Sequence, residues 1–212
     1  MFDMDGVLLD SMPYHVKAWQ EALSEIGLTV PPELIYLHEG AIEPETAVKI
    51  FCENGCSMDE SGFHKLFSRQ REIFSKKYQP HVKPYEGVED LLKELQANGW
   101  IMSLVTSSHR EVLDKVLPDQ ILELMHYVVT GDEVKRRKPH PDPYLAALYA
   151  IDAVPEKTLV VENAPAGIKA AKAANLKCVA LTTTLSPEHL KEADDIVPNH
   201  EALAQYLFKQ QN

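Results

Sequence analysis

The sequence predicts an α/β fold: a Rossmann-like core built on a parallel sheet, with an all-helical cap domain inserted into it. Three observations lead to this prediction. Strand-like and helix-like segments alternate after residue 80, the strand-like segments are continuously apolar, and residues 12–80 show helical periodicity without a strand signal. Such alternation is typical of a parallel sheet covered by helices on both faces. We therefore expect a core of residues 1–11 and 81–212 and a cap of residues 12–80.

The helices of the predicted cap are indicated by apolar residues that recur every three or four positions. The first run begins after Pro13, which suits the first turn of a helix, and ends at Gly27. Pro31-Pro32 interrupts the pattern and indicates a loop. A short second helix is expected near 44–55, and a third after the capping-box pattern at 57–60. The apolar face of the third helix holds Phe63, Leu66, Phe67, Ile73 and Phe74.

The predicted core consists of short apolar strands separated by helix-like segments. Met1-Phe2 is interpreted as the stub of a first strand, or as the end of a strand that begins before the recorded sequence. Further strands are expected at 100–105, 127–129, 158–161, 178–181 and 195–197. Helices are expected near 88–97, 110–117, 142–149, 166–174 and 187–193.

The composition argues against several classes of function. The chain has 212 residues, with 21 Lys and Arg against 32 Asp and Glu, so its formal net charge is −11. General nucleic-acid and anionic-membrane binders need a positive surface, so neither partner is expected. No apolar run approaches the roughly 18 residues of a membrane span, and the early aspartates do not fit a signal peptide. Three cysteines are too few for a disulfide scaffold. We expect a cytoplasmic protein, by default a monomer.

Polar residues follow four of the predicted strands, where each strand ends. Asp3 and Asp5 follow the first strand, 106–108 (Thr-Ser-Ser) the second, Lys138 the third, and Glu162-Asn163 the fourth. Because ligands of parallel sheets bind outside the carboxyl ends of the strands, we expect these groups to share one crevice. Oxygen ligands suit Mg²⁺, whereas a cation and hydroxyls suit phosphoryl oxygens. The set therefore predicts phosphoryl transfer with a small phosphorylated metabolite as the partner.

Four segments of the chain, in order, resemble the motifs of the haloacid dehalogenase superfamily. The helical insert, with Tyr14-His15 and Trp19, resembles the cap of the β-phosphoglucomutase-like subgroup. The segments are Phe2–Ser11 (FDMDGVLLDS), Val105–Ser107 (VTS), Lys138-Pro139 and Val161–Ile168 (VENAPAGI).

The resemblance implies a role for each motif residue. Asp3 would attack phosphorus and form an aspartyl-phosphate, and Asp5 would be the general acid and then the general base. Thr106 would hold a phosphoryl oxygen through its hydroxyl, and Ser107 through its backbone N–H. Lys138 would balance the negative charge of the nucleophile and the phosphoryl group.

The resemblance also implies a Mg²⁺ cofactor and a substrate contact. The metal would be held by the Asp3 carboxylate, the Asp5 backbone carbonyl and Asn163, with Glu162 nearby or acting through water. His15 in the cap would contact the substrate.

Asn163 departs from the pattern, because the resemblance implies an acidic residue there. An amide oxygen can bind Mg²⁺ but brings no charge. Two alternatives remain open: a weaker metal site, or a carboxylate supplied from elsewhere, with Glu39 as the candidate. If Glu39 enters the site, Glu39→Gln raises the Mg²⁺ requirement for turnover, whereas an unchanged metal titration removes the idea.

The type of reaction is the second departure. The resemblance implies that a mutase carries a cap-loop arginine for a distal phosphate, but residues 40–46 contain two acids and no cation. We therefore favour hydrolysis of a small phosphomonoester or pyrophosphate and keep a sugar phosphomutase as the alternative. Arg110 is expected to bind a second phosphoryl group. A signalling receiver is disfavoured because Asp5 would speed the loss of a phosphoryl signal.

Overall fold

The architecture follows from a computed structural model, which describes residues 1–38 and 58–209. Within these residues the named strands are all parallel. Strand β1 pairs with β2, and β3, β4 and β5 pair in that order. Their bounds are Ser103–Val105 for β1, Tyr127–Val129 for β2, Leu159–Glu162 for β3, Lys177–Leu181 for β4 and Asp195–Val197 for β5.

The first residues of the chain join these two groups of strands. Phe2 forms parallel bridges with both Leu104 and Val161. Its N–H donates to the Ser103 carbonyl at 2.8 Å, and the Asp3 N–H donates to the Val161 carbonyl at 3.0 Å. The stub predicted from Met1-Phe2 therefore lies at the centre of the sheet, which places Asp3 at the carboxyl edge between β1 and β3.

The sheet is buried on both faces, as the apolar strands predict. Leu104, Val161 and Val179 belong to one apolar cluster, whereas Val105 and Val160 belong to the other. This alternation follows from the two-residue period of a strand, which sends successive side chains to opposite faces.

Helices, connected by turns and loops, account for most of the other regular structure in the described chain. In chain order they are α1 (Met12–Ser24), α2 (Pro32–His38), α3 (Glu60–Ile73), α4 (Val88–Ala97), α5 (Arg110–Val116), α6 (Asp119–Leu122), α7 (Asp142–Ala150), α8 (Pro165–Ala173) and α9 (His200–Lys209). A π-helical turn at Phe74–Tyr78 continues α3, and short 3₁₀ turns lie at Gln79–His81, Pro155–Lys157 and Pro187–His189. None of the helices described is long and apolar enough to cross a membrane.

Helices α1 and α3 pack against each other through aromatic side chains. Trp19 on α1 lies 6.3 Å from Phe63 and 5.7 Å from Phe67, measured between ring centroids. The N-cap residue of α3 is Asp59, whose side chain accepts a hydrogen bond from the Gly62 N–H at 2.7 Å. The capping-box pattern had predicted a serine at this position. That serine and the helix expected near 44–55 both lie outside the described residues.

Several elements differ from the sequence-based prediction. Pro31-Pro32 was expected to mark a loop, but Pro32 begins α2, because a proline in the first helical position lacks an N–H that would have no helical partner there. Residues 187–193 were expected to be a helix, but only the 3₁₀ turn at Pro187–His189 forms there. The prediction missed α6 and α9; α9 buries Leu203 and Leu207 against the core.

Candidate active site

The site begins in the loop that leaves the central strand. The Gly6 N–H donates to the Leu9 carbonyl at 2.8 Å, which turns the chain back immediately after Asp5. Gly6 has a φ of +83°, and a Cβ at this position would lie 2.1 Å from Asn163 Nδ2. A glycine is therefore required here both by the backbone conformation and by the close approach of Asn163.

Lys138 lies at the centre of a buried charge cluster and is only 3% exposed. Its ammonium group donates to Asp3 Oδ1 at 2.7 Å, to Glu162 Oε1 at 2.7 Å and to the Val105 carbonyl at 2.8 Å. The bonds join side chains from three different strand ends. The cation therefore balances two carboxylates that would otherwise face each other in a region removed from water.

Glu162 is fully engaged within the protein. Its Oε1 also accepts a hydrogen bond from the Tyr144 hydroxyl at 2.8 Å, and its Oε2 accepts from the Asn163 N–H at 3.0 Å. Both carboxylate oxygens of Glu162 therefore have protein partners, and the carboxylate orients Lys138. Its predicted place near the metal, or its action through water, stays a prediction.

Asp5 is held by hydroxyl donors and by a histidine. Ser11 Oγ donates to Asp5 Oδ1 at 2.6 Å, and Ser108 Oγ donates to Asp5 Oδ2 at 2.9 Å. His15 Nε2 lies 3.5 Å from Asp5 Oδ1, and the His15 ring stacks on Phe74 with 4.0 Å between ring centroids. The cap histidine therefore reaches the core at Asp5.

The two aspartates have different electrostatic surroundings. Burial raises the pKa of Asp3, and the Lys138 ammonium opposes this rise. Burial also acts to raise the pKa of Asp5, but the hydrogen bonds from His15, Ser11 and Ser108 outweigh it and hold the pKa below its usual value. Two carboxylates two residues apart are thus separated in acidity by their partners.

The loop after β1 supplies hydroxyl and amide groups. Thr106 is buried, and its Oγ1 accepts a hydrogen bond from the Ser108 N–H at 3.0 Å. The Ser107 hydroxyl is buried without a hydrogen-bond partner among the described residues. Both residues line the same cavity as Asp3 and Asp5.

The Asn163 side chain has a defined orientation. The Thr184 hydroxyl donates a hydrogen bond to the Asn163 backbone carbonyl at 3.3 Å. Because the hydroxyl proton is used in this bond, the hydroxyl oxygen accepts a second hydrogen bond from Asn163 Nδ2 at 3.0 Å. The amide nitrogen is thereby fixed toward Thr184, and Oδ1 points away from it. This oxygen is buried and has no hydrogen-bond partner among residues 1–38 and 58–209.

These groups fit a hard cation such as Mg²⁺. The Asp3 carboxylate, the Asp5 carbonyl and the unpartnered Asn163 oxygen are all oxygen donors, which Mg²⁺ prefers. In the described part of the chain, no three His, Cys, Asp or Glu side chains are grouped as a metal site. A site here would therefore depend on a carbonyl and an amide as well as on Asp3.

A cavity of about 350 Å³ lies between the strand ends and the helices that precede residue 80. The wall on the core side includes Asp3, Asp5, Lys138, His109 and Arg137. Its opposite wall includes Phe67, Gln70 and Arg71 on α3. The volume suits a small ligand.

Most of the residues predicted for the site line this cavity: Asp3, Asp5, His15, Thr106, Ser107, Lys138, Glu162 and Asn163. The substrate role expected for Arg110 is not supported, because this side chain pairs with Glu133 at 3.2 Å and does not line the cavity. Arg110 is the first residue of α5, and its side chain is 38% exposed. Glu39 lies outside the described residues.

Three residues near the site were missed by the sequence analysis: Gln70, Tyr144 and Thr184. Ser108 was placed in the crevice with Thr106 and Ser107, but its hydrogen bond to Asp5 was not predicted. Gln70 is a polar residue within the apolar face of α3, which is a readable signal. Tyr144 and Thr184 carried no local signal, because their importance arises from contacts with Glu162 and Asn163.

Comparisons with known proteins identify the family. The family model of haloacid dehalogenase-like hydrolases matches residues 1–181. The chain is 32% identical to the validoxylamine A 7'-phosphate phosphatase of Streptomyces hygroscopicus subsp. limoneus, over 92% of this chain and 90% of that protein. It is also 32% identical to the fructose-1-phosphate phosphatase of Escherichia coli K12, over 84% and 93% of the two chains.

A solved structure supports the same relationship. A Bacteroides vulgatus protein described as a β-phosphoglucomutase superposes with a TM-score of 0.83 at 30% identity, covering 99% of this chain and 87% of that one. The chain therefore belongs to the haloacid dehalogenase-like hydrolase family. The resemblance drawn from the four motifs, the fold with a helical cap, and the phosphatase class are confirmed.

Proposed function

We propose that this chain hydrolyses a small phosphomonoester through an aspartyl-phosphate on Asp3. The observation that carries the proposal is the position of Asp3: its Oδ1 is held by Lys138, whereas its Oδ2 forms no hydrogen bond with any described residue and lies at the cavity. One oxygen is thus fixed and charge-balanced, and the other is available as a nucleophile.

In the first half-reaction, an Asp3 oxygen attacks phosphorus and the bond from phosphorus to the leaving oxygen breaks. Asp5 donates a proton to that oxygen, so the product leaves as an alcohol. Asp5 is ionised in the free site, and the approaching negative ester favours its protonated form. The Thr106 hydroxyl and the Ser107 N–H hold phosphoryl oxygens, and Lys138 offsets their charge.

In the second half-reaction, Asp5 takes a proton from water as the water attacks the aspartyl-phosphate. The bond between phosphorus and the Asp3 oxygen breaks, which releases inorganic phosphate and restores the carboxylate. Mg²⁺, when bound by Asp3, the Asp5 carbonyl and Asn163, supplies positive charge next to the phosphoryl group.

The substrate is a small phosphorylated metabolite, and sugar and polyol phosphates are the leading candidates. The support comes from the cavity volume and from relatives whose names are those of phosphatases of such esters. Pyrophosphate stays within the proposal as a second small substrate. We further propose that residues 12–80 act as the cap and that the protein works in the cytoplasm as a monomer.

A sugar phosphomutase of the β-phosphoglucomutase type is the second candidate. It is favoured by the Arg71 guanidinium, which lines the cavity and forms no ion pair within the described residues. A mutase needs such a cation for the distal phosphate of a bisphosphate. Hydrolysis is preferred because the sequence of residues 40–46 contains two acids and no cation.

The test is phosphate release over a panel of sugar phosphates, polyol phosphates and pyrophosphate, with and without Mg²⁺. The expected result is Mg²⁺-dependent release that Asp3→Asn abolishes. Release that survives Asp3→Asn would contradict the nucleophile assignment. Conversion of β-glucose 1-phosphate in the presence of a bisphosphate primer, without net phosphate release, would favour the mutase.

A further inference from the structure

Gln70 is a polar side chain in an apolar surrounding. It lies on α3 and shares a helix face with Leu66, Phe67 and Phe74, which are three or four residues away. The residue is 4% exposed, yet it lines the cavity that contains Asp3. Its amide forms no hydrogen bond with any residue in 1–38 or 58–209. Polar groups of buried residues are normally hydrogen-bonded. The Gln70 amide atoms are not fully enclosed, so they are open to a ligand in the cavity.

Charged side chains around Gln70 already have partners, whereas Ser75 and Gln79, which also line the cavity, are more exposed than Gln70. Glu72 accepts hydrogen bonds from Arg69 and Lys76, each at 2.7 Å. On the core side, Arg137 donates to the Gly131 carbonyl at 3.0 Å and lies 2.8 Å from His109 Nε2.

Arg71 differs from Gln70 in exposure. Its guanidinium lies over the Phe67 ring at 5.5 Å and is open to solvent, so water satisfies it when the cavity is empty. Among the described side chains of this wall that form no hydrogen bond or ion pair within the protein, Gln70 is therefore the buried one, and a ligand in the cavity can bind its amide.

We propose that Gln70 is a specificity-determining residue that recognises a hydroxyl group on the leaving group of the substrate. This inference rests on the proposed phosphatase function. The phosphoryl group would lie at Asp3 on one wall, and the carbon chain would extend across the cavity toward α3. The Gln70 amide can donate to one hydroxyl and accept from another. The substrate class is therefore a hydroxylated phosphomonoester, a polyol or sugar phosphate.

Recognition by Gln70 should favour substrates that carry the hydroxyl over analogues that lack it. A substrate without the hydroxyl would displace water from Gln70 and leave the amide unpaired, and sites built for a hydroxyl strongly reject such analogues. An apolar residue at position 70 would remove that penalty. The substitution should therefore harm hydroxylated substrates and spare apolar ones.

The experiment compares glycerol 1-phosphate with propyl phosphate, which has the same carbon chain without the hydroxyls. The variant is Gln70→Met, because methionine has a similar length and suits an apolar helix face. We expect the ratio of kcat/KM values, glycerol 1-phosphate over propyl phosphate, to fall about tenfold or more in the variant. The kcat/KM for propyl phosphate should stay within about threefold of wild type. Gln96→Met, the same substitution at an exposed site on α4, should leave both values unchanged.

A binding measurement separates this inference from the proposed reaction. Calorimetry with Asp3→Asn and with Asp3→Asn/Gln70→Met reports the affinity for both esters without turnover. Weaker binding of glycerol 1-phosphate alone in the double variant supports the role of Gln70 even if no hydrolysis is found. If the affinity falls equally for both esters, or if the preference for glycerol 1-phosphate over propyl phosphate does not change, the role of Gln70 is overturned. Thermal denaturation of each variant identifies an effect on folding, which would lower both affinities together.

Discussion

Replacing Lys138 by methionine tests the buried charge cluster most directly. The substitution preserves the length and apolar character of the side chain but removes the ammonium that contacts Asp3 and Glu162, each at 2.7 Å. Two carboxylates would then remain in a buried region without a cation. Removal of one partner from a buried ion pair typically costs about 3–5 kcal/mol, because the remaining charge is uncompensated.

The same range is expected here. Solvent screening does not reduce it much, since the side chains of Lys138 and Glu162 are 4% and 1% exposed. For a protein of this size, a loss of about 3–5 kcal/mol lowers the melting temperature by roughly 6–20 °C. Urea denaturation and thermal melting, both in the presence of EDTA, measure the effect without a metal ion replacing the lost charge.

Two controls make the result specific to the cluster. Lys93→Met removes an exposed lysine that pairs with Glu89 on the surface of α4, and it should leave stability unchanged. Adding Glu162→Gln to Lys138→Met removes one of the stranded charges and should recover part of the loss. The reasoning is wrong if the free energy of unfolding of Lys138→Met is within about 1 kcal/mol of the wild-type value. It is also wrong if the double variant is less stable than Lys138→Met alone.

Three further predictions concern the surroundings of the site and the core. Thr184→Val removes the acceptor that orients the Asn163 amide, so calorimetry should find about tenfold weaker Mg²⁺ binding, whereas Thr184→Ser should bind as wild type; equal affinities would contradict this role. Gly167→Ala places a Cβ 1.7 Å from Glu162 Oε1, so the free energy of unfolding in urea should fall by about 1–3 kcal/mol; no loss would show that the backbone yields without cost. Burial lowers the pKa of His200, whose Nε2 lies 2.7 Å from the Val7 carbonyl. The unfolded chain therefore binds a proton more readily, and stability falls as the pH drops below the ordinary histidine value of about 6.5. His200→Gln should lessen that fall between pH 7 and pH 5, and parallel curves would contradict the assignment.

The strands were predicted well because their signal is local. Strands β2 and β5 lie at the predicted residues, and β1, β3 and β4 overlap their predicted positions. A strand of a parallel sheet is a run of consecutive apolar residues, so it can be predicted from the sequence without knowledge of the fold. The order of strands could not be read in this way. That Phe2 joins β1 to β3 depends on hydrogen bonds to residues about 100 and 160 positions away.

The same distinction holds for the site. By itself, the sequence determined the motif residues Asp3, Asp5, Thr106 and Lys138, because polar groups directly after buried strands must meet at one edge of a parallel sheet. It also determined the family and the phosphatase class. Only the tertiary structure decided that Glu162 binds Lys138, that Arg110 pairs with Glu133, and that Gln70 lines the cavity. These outcomes depend on which groups meet from distant parts of the chain, and no local pattern specifies such meetings.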